Sequence, residues 1–194
     1  MFITLYVAKD CPYCEQVKWL LLEKNIAYKE VVLSVARDQG FISQHSPNST
    51  LPILKERDVY FYDSRIIMFY LDERYPSPSL MPQYPVLRAK TRLALMRIDR
   101  DWYSILGMLN KKDEQAIKAR DALIDSFTAI SPIFSETEFF MSEELTIADG
   151  ALSILLKHLD SHGIKFDHCS EISEYAKRMF SRESFKQLDN KNPN

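Results

Sequence analysis

Cys11 and Cys14 flank Pro12 and Tyr13 directly after an apolar, alternating run, Phe2–Val7. Such a run reads as a strand, and the stretch from Val17 to Leu22 that follows has helical character and ends near Asn25. The spacing therefore puts Cys11 where a strand hands over to a helix. Free N–H groups and the helix dipole there stabilise a thiolate and lower its pKa. Cys14, one turn on, is placed to resolve a mixed disulfide formed at Cys11. The pair reads as a thiol–disulfide centre, with a fold element kept without activity as the alternative. Cys169, the third of three cysteines, stands apart as a bystander, and three are too few for a disulfide framework.

Other residue types with chemistry are less well arranged. His158 and His162 share a helix face, with His168 and Cys169 just beyond. Gly163 ends that helix, and adjacent His168-Cys169 would ligate one ion only with strain, so no metal site is expected. Arg88, Lys90, Arg92, Arg97 and Arg100 line one long helix, partly neutralised by Asp99 and Asp101. That is a solvated face or, alternatively, a site for a phosphate or an acidic partner. A net charge of −2 argues against a protein that coats nucleic acid. Hydrophobic residues at 46% and charged residues at 27% are ordinary globular values. No signal peptide opens the chain and no apolar run approaches the roughly 20 residues that span a bilayer, which makes the cytoplasm the expected location.

The elements that must position these residues follow in order. Tyr28–Leu33 is a second strand, residues 37–45 a helix, and Leu51-Pro52-Ile53-Leu54 with Val59–Tyr62 a hairpin around Glu56-Arg57-Asp58. Ser64 is read as the N-cap of the next helix, which is expected to bury Ile66, Ile67, Tyr70 and Leu71 until Pro76 stops it. This order is that of a thioredoxin-like domain with a parallel βαβ opening. Pro52 then falls where such folds hold a cis proline, exposing the Leu51 backbone to an extended ligand such as glutathione. Asp63 and Ser64, at a helix start, can hold that ligand's charged end: Ser64 and the amides its carboxylate, Asp63 its ammonium. Simple helix capping would give the same two residues.

Pro76, Pro78, Pro82 and Pro85 form a stiff surface connector, and from Val86 the pattern is helical throughout. Leu93, Met96, Trp102, Ile105, Leu106 and Leu109 are expected on the apolar side of one long helix. Residues 113–130 make a second, with Ala116, Ile117, Leu123, Ile124 and Phe127 inward. Thr146 and Asp149 form a capping box before a buried helix over residues 151–159, and residues 171–180 close the helices. Residues 189–194 read as a frayed tail.

Together these features resemble the glutathione transferase superfamily over nearly the whole chain. Within it the chain resembles the stringent starvation protein A family of bacterial RNA polymerase-associated proteins and, alternatively, their virulence-regulator relatives. The resemblance rests on Ser64-Arg65-Ile66-Ile67-Met68, Tyr70-Leu71-Asp72-Glu73-Arg74, Leu80-Met81-Pro82 with Tyr84-Pro85, and Arg97-Ile98-Asp99 before Asp101-Trp102-Tyr103. It implies an α/β thioredoxin-like domain over residues 1–78, a proline-rich linker over 79–86 and an all-α domain over 87–194. It further implies a cytoplasmic dimer, with itself or a paralogue, that regulates transcription in starvation and acid stress by binding RNA polymerase holoenzyme. No transferase activity and no cofactor are then required. The family's partner surface is a Pro-His-Pro loop, matched here by Pro76-Ser77-Pro78 without the histidine; Tyr84 matches and helps shape it. The arginines nearby would steer toward acidic polymerase or sigma-factor surfaces. The Cys11/Cys14 pair departs from the family and points instead to a glutathione-dependent thiol transferase, with Leu51, Pro52, Asp63 and Ser64 holding glutathione.

Overall fold

A computed structural model describes residues 3–109, 111 and 113–191. The chain divides into two compact units, Met1–Ser79 with Glu183–Asn194, and Leu80–Arg182.

The first unit opens β1 (Ile3–Val7), α1 (Pro12–Glu23), β2 (Tyr28–Val32), α2 (Gln39–His45), β3 (Ile53–Glu56), β4 (Val59–Tyr62) and α3 (Ser64–Arg74). The four strands form one sheet in the order β2-β1-β3-β4. β1 runs parallel to β2 and antiparallel to β3, with Leu5 opposite both Glu30 and Leu54. Alternation decides the faces: Ile3, Leu5 and Val7 are fully buried, while Tyr6 points the other way and packs tilted against Phe41 of α2, ring centroids 4.7 Å apart.

A helix that the sequence pattern hid completes this unit. α9 (Glu183–Lys191) lies against α1, where Phe185 meets Trp19 at 6.3 Å and the Ser184 hydroxyl donates to Glu23 Oε2 at 2.6 Å. The sequence pattern gives no helix here and assigns these residues to the all-helical half, with 189–194 as tail; of that tail, residues 192–194 lie outside the described residues.

The second unit contains α4 (Pro85–Arg97), a π-helical stretch (Ile98–Tyr103), α5 (Ser104–Leu109), α6 (Glu114–Ile130), a short 3-10 turn, α7 (Ile147–Ser161) and α8 (Ser170–Phe180). α7 is its axis, buried from Ile147 through Leu156. Asp149 Oδ2 accepts from the Thr146 N–H at 2.8 Å and its hydroxyl at 2.9 Å, and so fixes the start of α7. Tyr103 donates to the Ala151 carbonyl at 2.6 Å and Trp102 Nε1 to the Ser126 hydroxyl at 3.1 Å, so both aromatic side chains point inward.

Several expected contacts differ. Asp63, not Ser64, caps α3: its side chain accepts from the Arg65 and Ile66 amides, because Ser64 has turned inward. On α3, Ile67, Met68 and Leu71 are buried, but Ile66 is exposed and Tyr70 only half-buried. Leu93 and Met96 face outward at 57% and 40% exposure, and Ile117 is also exposed. α4 carries two apolar stripes, and the one that packs is Thr91, Leu95 and Ile98, continuing through Trp102 and Leu106. Leu80 to Pro82 are buried rather than a surface bridge, and the Leu80 carbonyl accepts the Ile147 N–H at 2.9 Å.

Candidate functional site

Cys11 is the N-cap of α1, with an extended backbone, and Pro12 follows at the first helical position, where its missing N–H costs nothing. Its sulfur accepts the Cys14 N–H at 3.2 Å and lies 3.9 Å from the Leu51 carbonyl oxygen, to which the thiol can donate. The Leu51–Pro52 peptide is cis. The structure thus brings Cys11, Cys14 and Leu51 together at the carboxyl end of β1. The hydrogen bond from the Cys14 thiol, opposed by burial and helped by the Cys14 and Tyr13 amides, holds Cys11 below the ordinary thiol range. Burial first, and Cys11 second, push Cys14 far above it. Both cysteines are free thiols. Chemically this is a half-buried, readily ionised sulfur backed by a buried proton donor.

Asp63 and Ser64 are each held by partners of their own. The Asp63 carboxylate forks onto Arg65, Oδ1 to Nε at 3.2 Å and Oδ2 to Nη2 at 2.9 Å, while Oδ1 also takes the Arg65 and Ile66 amides. These contacts keep its pKa low although burial opposes them as the largest single influence. The Ser64 hydroxyl is buried and donates to Gln16 Oε1 of α1 at 3.1 Å. A ligand ammonium would share Asp63 with Arg65, and a ligand carboxylate would compete with Gln16.

Pro76, Ser77 and Pro78 are all exposed, and the Ser77–Pro78 peptide is cis. What fixes them was invisible in the pattern. Lys24, just past α1, is buried and pairs with Asp72 of α3 at 2.9 Å, with side-chain exposures of 0% and 3%. The same ammonium donates to the Pro78 carbonyl. Lys24 follows Leu20-Leu21-Leu22-Glu23, where a lysine ordinarily reaches solvent, and its partner stands far along the chain. Tyr84 belongs to the second unit, before Pro85, and is 75% exposed.

The remaining candidates are dispersed. His162 Nδ1 bonds to the His158 carbonyl within its own helix end, His168 lies near Thr128, and the buried Cys169 thiol points to the Thr128 hydroxyl at 4.0 Å. Among the described residues no cluster of His, Cys, Asp and Glu could hold a metal ion, and no helix is long and apolar enough to cross a membrane. Of the basic row on α4 and beyond, Arg97 and Arg100 both reach Asp101, at 3.4 and 2.7 Å.

Comparison with known proteins fits this geometry. Residues 5–79 match the family model for the glutathione S-transferase N-terminal domain. A glutathione S-transferase from Rhodospirillum rubrum F11 superposes with a TM-score of 0.86 at 24% identity, over 96% of this chain and 91% of that one. That likeness establishes the fold. The stringent starvation protein A homolog of Pasteurella multocida is 40% identical over 188 residues, 95% of this chain and 89% of the relative. The homolog of Haemophilus influenzae is 38% identical over the same shares. On that similarity, over 95% of its length, the chain belongs to the stringent starvation protein A family.

Proposed function

We propose that this protein is a cytoplasmic transcription regulator that binds RNA polymerase holoenzyme under starvation or stress, using a glutathione transferase-like fold as a scaffold rather than for transferase chemistry. The observation that carries this reading is the Pro76-Ser77-Pro78 segment, exposed at all three residues and tied down by the buried Lys24 ammonium. A segment already fixed before docking loses little conformational entropy when it binds. Ser77, standing where the family has histidine, leaves the contact to proline rings, a small hydroxyl and backbone carbonyls. Tyr84 adds an exposed aromatic of the kind that anchors protein interfaces. The self-held Asp63 and Ser64 support a scaffold role, since glutathione would have to share Asp63 with Arg65 and compete with Gln16 for Ser64. Basic side chains such as Lys90 would steer toward acidic polymerase or sigma-factor surfaces without direct contact to nucleic acid. The outward stripe of Leu93 and Met96 supports a dimer, with a second copy or a paralogue covering it.

The test is co-elution of the purified protein with the host's RNA polymerase holoenzyme, beside a variant carrying Pro76→Ala, Pro78→Ala and Tyr84→Ala. Binding by the wild type that is lost in the variant supports the reading; no binding by the wild type overturns it.

One observation favours a second reading, a glutathione-dependent thiol transferase. The Cys14 amide and thiol both stabilise the Cys11 thiolate. In that reaction the Cys11 thiolate attacks a glutathionyl disulfide and releases the substrate thiol. A second glutathione thiolate then attacks the mixed disulfide, forming oxidised glutathione and restoring Cys11, with Cys14 as the alternative resolver. Leu51, Pro52, Asp63 and Ser64 would hold the glutathionyl group. Turnover of a glutathionylated substrate that disappears in Cys11→Ser supports this reading, and none in the wild type removes it.

A further inference from the structure

The second unit contains a groove of about 480 Å³ between α4 and the turn that precedes α7. Tyr84, Leu87 and Ala94 line it from the α4 side, and Phe140 and Met141 from the turn. The turn is tightly built. Phe139 and Ser142 exchange backbone hydrogen bonds at 3.0 and 3.4 Å, and the Phe140 N–H donates to buried Asp149 Oδ1 at 2.6 Å. This geometry sends Phe140 inward and leaves Met141 at 54% exposure with φ of 59°. A glycine would hold that left-handed backbone at lower cost. What methionine adds is a long, adaptable apolar side chain at the groove's mouth, a type that suits binding surfaces.

Charge says what kind of occupant fits. Lys90 lies on the α4 side, Glu143 and Glu144 on the turn side, and all three are exposed. Among the described residues none of the three is paired across the groove. The floor is apolar between walls of opposite sign.

We infer that this groove receives a peptide segment of the protein partner, one large apolar side chain between Tyr84 and Met141, with a basic residue toward Glu143 and Glu144 and an acidic one toward Lys90. The inference rests on the polymerase-binding reading and extends it from an exposed loop and tyrosine to a pocket. Tyr84 rims the groove, so the anchoring aromatic and the pocket belong to one surface. The opposite signs fix the direction in which the segment lies and reject one of reversed polarity.

The experiment measures affinity for the host's RNA polymerase holoenzyme, together with thermal unfolding, for the wild type, Met141→Gly, Ala94→Trp and the double variant Glu143→Lys with Glu144→Lys. Met141→Gly relieves the backbone and is expected to unfold no earlier than the wild type while binding about tenfold more weakly. Ala94→Trp fills the groove and is expected to weaken binding at least as much, and the double charge reversal to slow association. If Ala94→Trp does not fold, Met141→Gly decides alone. Wild-type binding with Met141→Gly unchanged overturns the groove and leaves the loop reading standing. Failure of the wild type to bind overturns both.

Discussion

Lys24 and Asp72 meet at 2.9 Å beneath the surface, and the lysine also donates to the carbonyl of Pro78. One buried ion pair thus ties the end of α1 and the body of α3 to an exposed proline loop. Removing one member leaves the other charge buried and uncompensated, which costs about 3–5 kcal/mol. Lys24→Met should therefore lower stability by about that amount in denaturant unfolding. Lys24→Met with Asp72→Leu should recover most of the loss, because both charges are then gone. The double variant still lacks the donor to Pro78, so its holoenzyme binding should stay weak while its stability returns. Recovery of both together would show that Lys24 serves stability alone.

The thiol pair makes a separate prediction. Cys11 is held low first by the hydrogen bond from Cys14, so Cys14→Ala should raise the midpoint of Cys11 ionisation toward the ordinary thiol value of about 8.5. Alkylation rate against pH reads this directly. The wild type should react with a midpoint below that value, and an unchanged midpoint in Cys14→Ala would assign the shift to the helix start instead.

Most of the first unit could be read from the chain because its signals are local. Alternation in residues 3–7, β-branched Val31 and Val32, and a proline at the first position of α1 each specify their own element. The Cys11 site was legible for the same reason: strand, cap and helix are contiguous. Other features depend on partners remote in sequence. The burial of Lys24 follows from Asp72 and Pro78, which no periodicity links to it. The cap of α3 shifted from Ser64 to Asp63 because Gln16, on another helix, takes the serine hydroxyl. α9 was missed because its buried side comes from Phe185 and Leu188 among mostly polar residues, too short a repeat to read. Leu93 and Met96 misled because α4 has two apolar stripes and the sequence does not say which one faces its own core.

That outward stripe leads to a prediction about assembly. In an isolated chain Leu93 and Met96 leave apolar surface in water, which a second copy would cover. Light scattering at micromolar protein should give a dimer mass for the wild type. Leu93→Glu with Met96→Lys should give a monomer without loss of helix content by circular dichroism, since both side chains are exposed in their own chain. A monomeric wild type would remove the dimer from the proposed function.

Asp149 lies in the first turn of α7, fully buried, accepting from the Phe140 amide, the Thr146 amide and hydroxyl, and the Tyr175 hydroxyl at 2.9 Å. Burial outweighs these donors and pushes its carboxyl up to about 6. Because the folded pKa lies above the unfolded one, the folded state holds the extra proton between the two. The stability this contributes is full below about pH 4 and lost as pH rises to about 6, on the order of 3 kcal/mol in all. Asp63, Asp101 and Glu171, held low in the fold, slope the opposite way and mask it in the whole protein. The contribution is therefore isolated by subtracting an Asp149→Asn variant: wild-type minus variant stability should fall across pH 4 to 6 and stay level above. A difference that is level throughout would mean that the four donors keep Asp149 ionised. The turn carrying Phe140 and Met141 would then be held by a carboxylate at every pH in that range.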